Sequence, residues 1–149
     1  MRPRLPERKT EISRSRIKAL WFDPLADSID PIADVKSTVR QFVKEEQANG
    51  GLVQGCPLNN LAQELSPLDE GFRKRIEGVY AAWRESLEAA FARGIKSGKV
   101  SKAISPRNAA AFVVAALAGI IGTAKTAQSE ELLKQAGEGL FDYLDSVRP

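Results

Sequence analysis

Residues 67–98, PLDEGFRKRIEGVYAAWRESLEAAFARGIKSG, decide how the rest of the chain is read. Phe72, Ile76, Val79, Tyr80, Trp83, Leu87, Phe91 and Ile95 recur at steps of three and four over about seven turns. That spacing draws one apolar stripe along a long α-helix. Gly98 follows at the position where a left-handed residue ends a helix at little cost. Gly94, inside the helix, is expected to weaken its last turn by up to ~1 kcal/mol relative to alanine.

Working outward, prolines divide the remaining sequence into segments of the same kind. Asp30-Pro31, Cys56-Pro57, Ser66-Pro67 and Ser105-Pro106 each put proline at a helix start, where its missing N–H would be unpaired anyway. Asp30, Ser66 and Ser105 are suitable N-caps, and Asp69 falls three residues after Ser66 in capping-box spacing. Ser129 before Glu130 and Glu131 marks another N-terminus, with acids beside the positive end of the helix dipole. No run alternates with period two in strand-forming residues. The fold class expected is an all-α bundle of about six helices, near 8–26, 31–48, 57–65, 67–97, 106–125 and 130–146.

The fifth of these, AAAFVVAALAGIIGTA at 109–124, carries no charge on any face. A membrane span needs ~20 apolar residues, and this run is shorter and rich in glycine and alanine. A helix apolar all round is otherwise buried, and a domain this small rarely encloses one unaided. A second copy of the chain is the expected cover, with Ala115, Ala118, Gly119 and Gly122 permitting close approach. The last helix repeats Leu133, Gly137, Leu140, Leu144 and Val147 at alternating steps of four and three, the narrow seam of a helix meeting other helices. The two helices predict a four-helix interface in a two-fold homodimer. Its candidate residues are Val113, Ala116, Ile120, Leu133, Leu140, Phe141 and Leu144.

Composition narrows the chemistry. The 149 residues are 43% apolar and 28% charged, as in an ordinary globular domain. There is no histidine, which removes the commonest general base and zinc ligand. Cys56 is the single cysteine, so no intramolecular disulfide or CxxC motif exists. No metal or cofactor is expected. Adjacent carboxylates such as Glu45-Glu46 and Glu130-Glu131 diverge on a helix, and no phosphate loop or nucleophile elbow occurs, so an enzyme is not expected. Net charge is +3. Residues 1–18 hold seven basic side chains against Glu7 and Glu11, a local +5 that would give only weak, salt-dependent nucleic-acid binding. The first residues lack the apolar core of a secretory signal, which makes the cytoplasm the default location.

The sequences DPLADSIDPIADVKSTVRQFV (23–43) and GCPLNNLAQELSPLDEGFRKRIEGVYAAWRESLEAAFARGIKSGKV (55–100), followed by an apolar and then an amphipathic helix, resemble the C-terminal regulatory domain of TetR-family transcriptional repressors. The resemblance covers roughly residues 17–147 and is most specific in GCPLNNLAQELS and in the long helix with Trp83. It implies an all-helical domain that binds a small hydrophobic or amphipathic ligand and dimerises through its last two helices. The family's helix-turn-helix module finds no counterpart in residues 1–16, which read as a basic segment at the start of the connecting helix. Residues 17–149 then form the ligand-binding and dimerisation domain. DNA would be a partner only if a longer chain or another subunit supplies that module, and no membrane is implied. The resemblance places 55–65 beside the ligand pocket, with Leu58, Leu61, Ala62 and Leu65 inward and Asn59 and Asn60 flanking them. Among the aromatics Trp21, Phe42, Phe72, Tyr80, Trp83, Phe91 and Phe112, the ligand-binding set taken forward is Phe42, Tyr80, Trp83 and Phe112, with Cys56 and Asn59. A helical interaction module that heterodimerises with a related regulator is the alternative.

Overall fold

The computed structural model describes residues 17–48 and 55–149, so the basic segment 1–16 lies outside the described residues. The first described element is a π-helical turn, Lys18–Phe22, running directly into a 3₁₀ turn, Asp23–Leu25. Five α-helices follow: α1 (Pro31–Ala48), α2 (Pro57–Leu65), α3 (Glu70–Lys96), α4 (Pro106–Ala127) and α5 (Glu130–Ser146). No strand occurs among the described residues. The class is all-α.

The capping chemistry explains most boundaries. Asp30 accepts the Ala33 N–H at 3.1 Å, Ser105 accepts from Asn108 at 3.3 Å and Ser129 accepts from Leu132 at 3.0 Å. The exception is α3, which begins at Glu70 rather than Pro67. Asp69 is its N-cap, accepting from Phe72 at 2.8 Å, while Ser66 and Leu68 close the end of α2 instead. A carboxylate aimed at the helix start displaces the hydroxyl three residues earlier.

α4 packs between α3 and α5, α1 crosses α5, and α2 leans on α3 and α4. Phe91, Leu87, Ile32, Val113, Val100 and Leu144 form the fully enclosed centre. α4 is long and apolar enough for a membrane span by composition, with mean hydropathy 1.7. In this fold Ala109, Val113, Leu117, Ile120 and Ala124 turn one side of it into the bundle, and 39% of the apolar stretch is buried.

Gly94 overturns the expectation drawn from helix propensity. A Cβ there would lie 2.6 Å from Val100 Cγ2 and 2.9 Å from Pro31 Cδ, so the absent side chain is what lets the 31 and 100 segments close on α3. Nearby, Arg93 donates from Nε to the Ser28 carbonyl (2.8 Å) and from Nη2 to the Leu25 carbonyl (2.6 Å), clamping the first segment to α3.

Six residues expected at a dimer interface face the protomer's own interior: Val113, Ile120, Leu133, Leu140, Phe141 and Leu144 are all buried within one chain. The three-four seam serves contacts between α4, α5 and α1. Ala116 is half-buried. The outward strip of the last two helices is made instead by Phe112, Ala115, Gly119 and Thr123 with Gln135 and Gly139, flanked by half-buried Leu132, Ala136 and Tyr143.

Candidate ligand-binding site

Beside α2 the packing leaves a recess of about 20 Å³, partly open to solvent. Ile17 and Trp21 come from the first segment, Cys56, Leu58 and Asn59 from the start of α2, Tyr80 and Trp83 from α3, and Ala118 and Ile121 from α4. Four elements thus meet at one cavity. Trp21 and Trp83 also border a second, smaller space of about 10 Å³, lined in addition by Leu25, Val35, Thr38, Leu87, Val113 and Leu117. The two indoles, with ring centres 5.0 Å apart and tilted by 53°, form the wall both spaces share.

The first wall of the recess exists because Pro57 starts α2 and Cys56 holds extended backbone just before it, turning Leu58 and Asn59 toward α4. Asn59 lies against α4 beside Gly122, where a Cβ would make an ordinary 3.6 Å contact with Asn59 Nδ2. Asn59 donates from Nδ2 to the Ala118 carbonyl at 3.1 Å, and its Oδ1 accepts from the Tyr80 hydroxyl at 3.2 Å. One buried amide thereby joins α2, α3 and α4. Burial, and then the neighbouring Cys56 side chain, push the Tyr80 hydroxyl up to about 12. The phenol is therefore neutral throughout the physiological range, and the lining carries no formal charge.

Of the six residues expected to bind ligand, the structure brings Cys56, Asn59, Tyr80 and Trp83 to the recess. Phe42 and Phe112 lie elsewhere. Phe42 is buried behind Trp21, with ring centres 6.2 Å apart, and lines neither space. Phe112 is 48% exposed and packs edge-on against Tyr143 at 4.5 Å. It precedes Ile121 by nine residues, two and a half turns, which puts it on the opposite face of α4. The sequence set omitted Ile17, Leu58, Ala118 and Ile121 as ligand contacts. An uncharged helix gives no sign of which of its apolar residues face a cavity. Trp21 was legible as an aromatic candidate, but its adjacency to Trp83 is a tertiary fact. Among the described residues, no cluster of carboxylates and cysteine is placed to hold a metal.

Residues 31–140 match the family "Tetracyclin repressor-like, C-terminal domain". Among curated proteins, the chain is similar to the HTH-type transcriptional repressor DhaR of Mycobacterium sp. (strain GP1), at 28% identity over 61% of this chain and 46% of that one. It is also similar to the transcriptional regulator AcuR of Cereibacter sphaeroides, at 30% identity over 52% of this chain and 35% of that one. The matched region thus spans less than half the length of these relatives. The crystal structure of a regulatory protein TetR from Rhodobacter sphaeroides shares the fold, with a TM-score of 0.75, 24% identity, and coverage of 89% of this chain and 70% of that one.

Proposed function

Because the chain belongs to the TetR family of transcriptional regulators through its C-terminal domain, we propose that residues 17–149 are the effector-sensing half of a cytoplasmic repressor. The effector is a small hydrophobic or amphipathic molecule seated in the recess between Trp21, Trp83, Tyr80 and α2. The observation that carries this reading is the recess itself: four elements converge on an apolar space with a few polar atoms, the usual form of a small-molecule site. Trp21 sits on the first segment, so a molecule that displaces it biases the path of the chain leading into the domain. The DNA-reading step would be performed by a helix-turn-helix module supplied by a longer chain or a partner.

The functional unit in this reading is a homodimer. Phe112, Ala115 and Gly119 leave an uncharged outer strip on α4, bordered by Gly139 and Tyr143 of α5. Small residues and two aromatic rings suit a close helix-to-helix contact.

Titration with N-phenyl-1-naphthylamine, a neutral dye that fluoresces in apolar surroundings, tests the site. One saturable site per chain is expected. Ala118→Phe, which fills the recess from α4, should abolish it while leaving helicity unchanged. Binding that survives the filled recess would place the site elsewhere. Light scattering across a dilution series tests the assembly, where a stable species at twice 16.3 kDa is expected.

A further inference from the structure

As folded, the recess has no room for an organic molecule. Its volume of about 20 Å³, and the 10 Å³ of the neighbouring space, each suit little more than one water. A larger molecule enters only where a side chain leaves. Trp21 and Trp83 line both spaces, so the departure of either indole would join them. The residues around the two spaces carry no formal charge.

The two indoles are carried by very different elements. Trp83 stands in the middle of α3, a 27-residue helix whose next turns, at Leu87, Ala90 and Phe91, are fully enclosed. Trp21 stands on the π-helical turn Lys18–Phe22, whose first turn no side chain caps. Single π-helical turns are rare and recur at functional sites. The Lys18–Asp23 ion pair, at 2.6 Å, lies within this segment and ties it to no other element. The Arg93 clamp takes hold only at Leu25. An indole N–H usually anchors a buried tryptophan through an acceptor, but that of Trp21 meets none among the described residues. Apolar contact is what holds the ring, with Trp83 at 5.0 Å and Phe42 at 6.2 Å. A free molecule of the same shape can offer the same contacts.

Resting on the ligand-sensing reading above, we infer that Trp21 plugs the effector's own site, and that the effector is an uncharged, flat molecule of one or two fused rings that takes the indole's place against Trp83 and Phe42. The recess of about 20 Å³ is then the closed form of the site. Expelling the indole joins the two spaces and frees the volume of its ring, on the order of the ~150 Å³ apolar cavity that accommodates benzene. The exchange also moves the first segment, so occupancy and the path of the chain change in one event. A site that its own side chain fills most of the time binds more weakly by the fraction of time it is open.

The chain holds two tryptophans, so 5-fluorotryptophan labelling of the otherwise unaltered protein gives one fluorine resonance for each, assigned with Trp83→Phe. Indane, a neutral bicyclic hydrocarbon with the outline of indole, is the probe. At saturation the Trp21 resonance should move toward its unfolded position, and its shift between light and heavy water should grow. The Trp83 resonance should stay shielded. Trp21→Ala should bind indane at least about tenfold more tightly by calorimetry, because no side chain competes. Indane-2-carboxylate should bind the unaltered chain at least about tenfold more weakly than indane, for want of a cation in the lining. Saturable indane binding that leaves Trp21 shielded overturns the plug, and this readout stands even where Trp21→Ala fails to fold. A folded Trp21→Ala that binds indane no more tightly overturns it too. A carboxylate that binds as well as indane overturns the uncharged class. Silence from indane while the naphthylamine dye still binds overturns the inference but leaves the sensing site standing. Silence from the dye as well removes the sensing site on which the inference rests.

Discussion

α3 is packed to two different standards along its length. Around Phe91 and Gly94 the chain is so tight that a single added methyl group has no room. Around Tyr80 and Trp83, three turns earlier, the same apolar stripe borders a recess of about 20 Å³ that is partly open to solvent. The residues on the stripe are equally apolar at both ends, so hydrophobicity does not set the difference. What differs is the covering element. At the C-terminal end Pro31 and Val100 press on a glycine. At the other end a nine-residue helix, α2, and a π-helical turn meet two indoles and a phenol, whose rigid rings do not tile the space between them. Close packing encloses the first region, and imperfect tiling leaves the second partly open to solvent.

The largest test of the contrast is truncation. Phe91→Ala should cost about 3–5 kcal/mol in urea unfolding. Cys56→Ala at the recess should cost less than about 1 kcal/mol, since the half-buried thiol leaves space that is already open. Equal costs would erase the distinction.

A sharper test uses two glycines of one helix. Gly94→Ala should destabilise by about 1–3 kcal/mol because its Cβ meets Val100 and Pro31. Gly78→Ala, where a Cβ meets nothing within 4 Å, should stabilise by up to about 1 kcal/mol. Opposite signs are expected in thermal unfolding, and a common sign would mean that propensity rather than packing governs both.

At the recess, Asn59→Leu should cost about 1–3 kcal/mol, because it leaves the Tyr80 hydroxyl without its acceptor and removes the tie to Ala118. Tyr80→Phe should cost about 0.5–1.5 kcal/mol alone and much less in the Asn59→Leu background. Additive costs in the double variant would deny that the two act as a unit.

A further effect lies at alkaline pH. The folded state holds the Tyr80 proton up to about 12, against an ordinary 10, so it binds more protons than the unfolded chain in that interval. The resulting stabilisation is complete below pH 10 and is lost as pH rises toward 12. Tyr143 is shifted the same way by burial. Tyr80→Phe should therefore flatten the alkaline decline without abolishing it, as read from urea midpoints across the interval.

The architecture was legible because helices announce themselves locally. Proline at N1, the caps Asp30, Ser105 and Ser129, and the stripe from Phe72 to Ile95 all act within a few residues. Facing was harder to read. Leu133, Leu140 and Leu144 have the spacing of an intermolecular seam, yet an intramolecular neighbour satisfies the same spacing. Phe112 and Ile121 lie on one uncharged helix and are separated only by which partner each meets. Gly94 reads as a weakness until Pro31 and Val100 are brought against it. Asn59 was one of several polar residues on a short helix, and only the approach of α4 gives its amide two partners.

The Arg93 clamp also has a mechanical consequence. Its guanidinium holds the Leu25 and Ser28 carbonyls, and so pins the first segment at one end. A rod fixed at one end moves by turning about its fulcrum. Trp21 precedes the pinned Leu25 by four residues, so the indole lies on the side of the clamp that is free to turn. The arginine that fastens this segment is thereby the fixed point about which the chain ahead of it turns.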